Sequence, residues 1–175
     1  MKKIGCMFLL LGFFGCRPSY NALDTVPVLD ITKYAGIWYE IARLPNSFER
    51  KLECVTATYS LRDDGKIKVV NKGHLISNHA EVKEITGVAW VPDKKAPAKL
   101  KVSFFRPFAG KYWVLDLNDD YTCAMVGDPS RKYFWILSKK RTIDEGMYNT
   151  LLEKAIQKGF DIQKIIKVKQ VCDKE

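Results

Sequence analysis

Histidine is nearly absent: His74 and His79 are the only two in 175 residues. They stand five apart around Ile76-Ser77-Asn78, where a hairpin tip is expected, and a metal site would need more ligands than these at workable geometry. They read as exposed loop residues. No P-loop, Cys-x-x-Cys or Gly-x-Ser-x-Gly pattern occurs, so no phosphate cradle, redox pair or nucleophile elbow is indicated. There is no internal repeat and no low-complexity block. The chain is basic, with a formal net charge of +9, yet its lysines are scattered and no stretch joins them with stacking aromatics into a nucleic-acid footprint. Neither a nucleic-acid partner nor a cofactor is expected. No apolar run reaches the roughly 20 residues that a spanning helix needs.

The longest apolar run opens the chain. Lys2 and Lys3 precede Ile4 to Phe14, which ends at Gly15-Cys16 before the sequence turns polar. A basic start, a core of about ten apolar residues and a small residue at the cut make a secretory signal over residues 1–15. Gly15-Cys16 is the arrangement of bacterial lipoprotein signals, in which the cysteine is acylated and becomes the first mature residue. Phe13 and Phe14 stand where such signals usually carry a leucine and a small residue, so a plain secreted protein is the alternative. Several acyl chains on one cysteine hold firmly where a single chain does not. Arg17 is not the aspartate of an inner-membrane retention signal; in a Gram-negative cell this favours the outer membrane, with the domain facing the periplasm. Cleavage leaves 160 residues, enough for one domain with a full core, and loss of Lys2 and Lys3 lowers the charge from +9 to +7. Residues 16–30 read as a tether and 31–175 as the domain.

Cys54, Cys123 and Cys172 remain in the mature chain, and an exported compartment permits disulfides. Three thiols leave one unpaired. From residue 36 to 139 the chain reads as eight short strands, 38–44, 54–62, 66–76, 84–91, 99–105, 111–117, 121–126 and 132–139. Asp63-Asp64-Gly65-Lys66 is a hairpin turn in which glycine supplies the positive φ. Alternation is clearest in Ile67, Val69 and Asn71 against their lysine neighbours, and in Leu100, Val102 and Phe104. Such spacing indicates an all-β barrel or sandwich. One helix follows, with Thr142 as cap, Glu145 completing a capping box, and Leu151, Leu152, Ala155 and Ile156 as its apolar stripe. Gly159 stops it, and 165–168 is a last short strand.

Tyr34-Ala35-Gly36-Ile37-Trp38-Tyr39-Glu40, followed by Phe48-Glu49-Arg50, closely resembles the first signature of the lipocalins. The likeness is to the branch holding bacterial outer-membrane lipoproteins and apolipoprotein D. It continues in order through 100–105, Tyr112 to Leu117, Gly127-Asp128-Pro129 and Tyr133 to Ser138. The resemblance implies an eight-stranded antiparallel up-and-down barrel with one C-terminal helix packed outside. Gly36 would turn the chain into the first strand, and Trp38 would plug the narrow end. Family members lay an arginine against that indole, a cation–π contact worth about 0.5–2 kcal/mol; Lys139 stands at the matching position and lacks the planar fork. A Cys54–Cys172 disulfide is implied as well. Cys123 is then free, as a small hydrophobe or, alternatively, a reactive thiol.

Eight strands enclose room for one small ligand. Alternation puts Ala57, Tyr59, Val69, Gly87, Ala89, Val102, Phe104, Tyr112, Val114, Tyr133 and Trp135 on inward faces, with glycine making space. Such a lining suits a lipid tail, or the same side chains fill the barrel and leave a shallow cavity. Glu40 falls inward beside Trp38, Ala42 and Leu44, where a charge needs a partner; no second carboxylate can be matched to it. The leading expectation is a non-enzymatic carrier of a fatty acid or lysophospholipid at the membrane that anchors it. A lipid- or pigment-modifying enzyme using Cys123 and a structural lipoprotein with a filled barrel are the alternatives.

Overall fold

The computed structural model describes residues 22–172; the signal segment and Cys16 lie outside them. Nine strands run in chain order: β1 (Gly36–Arg43), β2 (Leu52–Leu61), β3 (Ile67–Leu75), β4 (Asn78–Trp90), β5 (Lys99–Ser103), β6 (Gly110–Leu117), β7 (Cys123–Gly127), β8 (Phe134–Ser138) and β9 (Ile166–Lys167). Neighbours from β2 to β8 pair in order, β8 pairs with β1, and β1 pairs back to β2. The eight-stranded antiparallel barrel is therefore closed, which removes free edges, and β9 adds to the outside of β1.

Two glycines make tight turns that other residues resist. Gly36 enters β1 at φ +97°, and Gly65 closes the β2–β3 hairpin at φ +73°. Strand β4 begins at Asn78 rather than near residue 84. Its first seven residues are exposed, so no apolar alternation marks them, and pairing with β3 through Gly73–Lys83 and His74–Val82 makes them a strand.

Short helix α1 (Ile31–Tyr34) closes one end, capped by the Asp30 carboxylate on the Thr32 and Lys33 amides. The long helix is α2 (Glu145–Gln157). Its cap is Asp144, which accepts from the Met147 amide at 2.9 Å, and not Thr142; the carboxylate two residues on takes the capping role. Tyr148, Leu151 and Ala155 are its buried residues, while Ile156 faces solvent. Gly159 ends it at φ +82°.

The apolar interior falls into two clusters. One fills the barrel's closed half, around Trp38, Tyr34, Ile67, Leu100 and Val114. The other lies between α2 and the outer barrel wall, around Met125, Phe134, Ile136, Leu151 and Phe160. Residues 23–30, expected as part of a tether, pack on the barrel: Leu23 is buried and the Val26 amide donates to the Val114 carbonyl at 3.0 Å.

Candidate functional site

Loops 44–51, 76–77, 104–109 and 128–133 surround the end of the barrel opposite α1, and a cavity of about 580 Å³ opens there. Ala57, Tyr59, Val69, Ala89, Val102, Phe104, Tyr112, Tyr133 and Trp135 are on its wall. Two inward residues are not. A Cβ on Gly87 would meet the Phe104 ring at 2.6 Å, so the space that this glycine leaves holds an aromatic ring instead of ligand volume. Val114 is fully buried in the closed-half cluster below the cavity. Sequence alternation missed Phe48, Glu49, Phe105 and Phe108, which reach the cavity from loops, where period-two reasoning has nothing to read.

Thr56 and Asn71 on the wall and Lys111 and Asp128 toward the mouth are polar, and two further polar clusters adjoin the cavity. Toward the closed end, the Tyr112 hydroxyl bonds those of Tyr34 at 2.7 Å and Tyr59 at 2.8 Å. Three hydroxyl protons share two bonds, so one O–H in the chain always remains for another acceptor. Burial holds all three phenols above the usual tyrosine range. On the β1 side, Arg43 Nη1 donates to Glu40 at 2.6 Å, and Arg43 Nη2 donates to the Glu49 and Leu52 carbonyls. Glu49 accepts from Trp135 Nε1 at 3.0 Å and from Asn46. Burial first, and the Glu49 carboxylate second, push Glu40 up to about 8 against the pull of Arg43. The partner that Glu40 needs is thus Arg43, and Glu49 is the second carboxylate.

Arg43 reaches Glu40 because β1 bulges between Glu40 and Ala42. The bulge breaks strict alternation. Ala42 and Leu44 accordingly leave the inward face and join the cluster under α2.

Trp38 is fully buried at the closed end and its Nε1 donates to the Tyr34 carbonyl at 2.7 Å. Lys139 Nζ lies 4.4 Å from the Trp38 ring centroid and donates to the Tyr34 and Ala35 carbonyls. A lysine therefore covers the indole and also caps the α1 C-terminus, where a cation is favoured. Burial lowers its pKa. Cys54 and Cys172 form the disulfide. Cys123 is buried between α2 and the barrel, away from the cavity, and burial pushes its thiol up to about 11. His79 Nε2 pairs with Glu53, and His74 Nδ1 contacts the His79 carbonyl at 2.6 Å. No group of metal-ligating side chains occurs among the described residues.

Residues 29–170 match the lipocalin-like domain family. The chain belongs to the lipocalins. It is 48% identical over 171 residues to the outer membrane lipoprotein Blc of Citrobacter freundii, covering 97% of this chain and 95% of that protein. Blc of Escherichia coli K12 is 46% identical over 150 residues, 86% of this chain and 84% of that one. Among solved structures, the cockroach allergen Per a 4 is similar at TM-score 0.66 and 25% identity, covering 86% of this chain and 93% of that one. The lipocalin thus shares near full-length homology with the bacterial Blc proteins.

Proposed function

We propose that this lipocalin is a lipid-anchored, non-enzymatic carrier of a single-chain lipid, a fatty acid or lysophospholipid, at the bacterial outer membrane and facing the periplasm. The cavity carries the reading. Its volume of about 580 Å³ lies within the range of about 300–1,000 Å³ typical of small-molecule sites. Valine, alanine, leucine and phenylalanine side chains supply much of the wall for an alkyl chain. The spare tyrosine proton offers one donor to a ligand oxygen. Open volume favours a carrier over a filled structural barrel. Cys123 supports no covalent chemistry on a bound lipid, being remote from the cavity and a thiol at neutral pH.

The anchor follows from Gly15-Cys16 together with the two Blc relatives, which are named outer membrane lipoproteins. Cys16→Ala should release the protein from the membrane fraction and remove the acyl mass; unchanged association and mass contradict the anchor. The carrier reading is tested by displacing a fluorescent fatty acid, with an expected dissociation constant on the order of 1 μM. Val102→Trp, which fills the cavity from β5, should weaken binding at least about tenfold, or about 1.4 kcal/mol. Failure of both fatty acids and lysophospholipids to displace the probe contradicts the carrier.

A further inference from the structure

The loops at the cavity mouth are apolar and basic together. Phe48 is 58% exposed, Phe105 69%, Phe108 77% and Tyr133 41%. They come from three loops that converge on one opening, and the Phe48 and Tyr133 rings approach to 5.9 Å. Isolated exposed apolar residues need no explanation, whereas a rim of them does. The exposed charges within these loops, and that of Lys111 beside them, are positive: Arg50, Lys51, Arg106, Lys111 and Lys132. Of the two acids in these loops, Glu49 is buried, and Asp128 is partly buried with its carboxylate accepting from Ser130, Lys132 and Tyr133 of its own turn. The closed end is mixed in charge, with Asp63, Asp64, Asp93, Asp119 and Asp120 exposed on its turns beside Arg62, Lys94, Lys95 and Lys140.

The N-terminal segment leads to the same end. From α1 at the closed end, residues 30 back to 24 run along the barrel wall, with Val26 bonded to β6. Lys158 Nζ contacts the Asp24 carbonyl, and Arg131, from the mouth loop 128–133, donates to the Lys158 carbonyl at 2.7 Å. The described chain therefore starts beside the mouth. Cys16 stands six residues before Ala22, a separation of at most about 22 Å.

We infer that the mouth is a membrane-contact face, its phenylalanine rim entering the interface of an anionic bilayer, so that the cavity opens onto the lipid surface. Aromatic rings suit the boundary between head groups and acyl chains, and basic side chains are held by an anionic surface within a Debye length. The argument from the short reach to Cys16 rests on the proposed acylation; the rim and its charge do not.

The test uses the full chain, purified from membranes and reconstituted in vesicles of phosphatidylethanolamine and phosphatidylglycerol that contain head-group spin-labelled lipid. One fluorophore is placed at the mouth by Ala109→Cys, and another at the closed end by Asp63→Cys; Cys123 is buried and is not the labelling site. Quenching should be at least about threefold stronger at residue 109 than at residue 63. Adding Phe105→Ser and Phe108→Ser to the mouth-labelled chain should remove most of that difference, and vesicles of phosphatidylcholine alone should reduce it. Acylation is read separately by mass. Preferential mouth quenching in a chain without acyl mass upholds the contact face and overturns the anchor instead. Equal quenching at both positions overturns the contact face, whether or not the acyl mass is found. So does quenching that the serine variant leaves intact, or that is as strong on phosphatidylcholine. Dimerisation without vesicles that the serine substitutions abolish would assign the rim to a second copy of the chain and overturn it too.

Discussion

Glu40 is 3% exposed, with one guanidinium at 2.6 Å and a second buried carboxylate, Glu49, close by. The unfolded chain releases its proton near the ordinary 4.5, the folded chain only near 8. Between those values the folded state binds the extra proton, so stability falls as pH rises through the window. Its contribution is fully present below about 4.5. Glu40→Gln should flatten that part of the slope, which urea midpoints of the two proteins across the window would show; parallel profiles would assign the proton elsewhere. Tyr112 is the other exacting residue, since two hydroxyls depend on it. Tyr112→Phe leaves Tyr34 and Tyr59 without that partner and should cost about 1–3 kcal/mol in chemical denaturation. A change below about 0.5 kcal/mol would mean that the tyrosine chain is solvated through the cavity.

At the scale of elements, the tail after β9 is fastened to β1 and β2 several times. Gln170 donates to the Glu40 and Val55 carbonyls, the Cys54 amide donates to the Lys169 carbonyl, and the disulfide spans 118 residues. Closing so long a loop is worth at most about 4–5 kcal/mol by chain entropy. Cys54→Ala and Cys172→Ala should lower the melting temperature alike, and the double variant should go little further, because both remove one bond. Lipid binding should survive in all three, as neither cysteine lines the cavity. Additive losses in the double variant would contradict a single shared bond. Strands were legible wherever one face meets water and the other the barrel, as in Ile67–Asn71 and Leu100–Phe104. The first half of β4 was not, because both its faces are wet. The sequence alone does not select the start of α2, because Thr142 and Asp144 both have capping chemistry within two residues, and only the local backbone chooses Asp144.

Across the whole molecule, the ordered signature from Tyr34 to Ser138 makes the barrel, its plug and the position of α2 readable from the sequence alone. The cavity was readable along mid-strand faces and unreadable in two respects. The β1 bulge turns Arg43 inward to Glu40, and the mouth loops contribute Phe48, Glu49, Phe105 and Phe108 by tertiary convergence. Those same loops give the molecule its polarity, a cationic apolar mouth against a closed end of mixed charge. The proposal that the barrel carries a lipid rests on its cavity of about 580 Å³. Native mass spectrometry of the protein extracted gently from membranes measures this most directly. The account predicts a retained adduct with the mass of one fatty acid or lysophospholipid, lost on delipidation, restored by adding that lipid and absent from Val102→Trp. A bare protein that takes up neither class of lipid when both are supplied would contradict it.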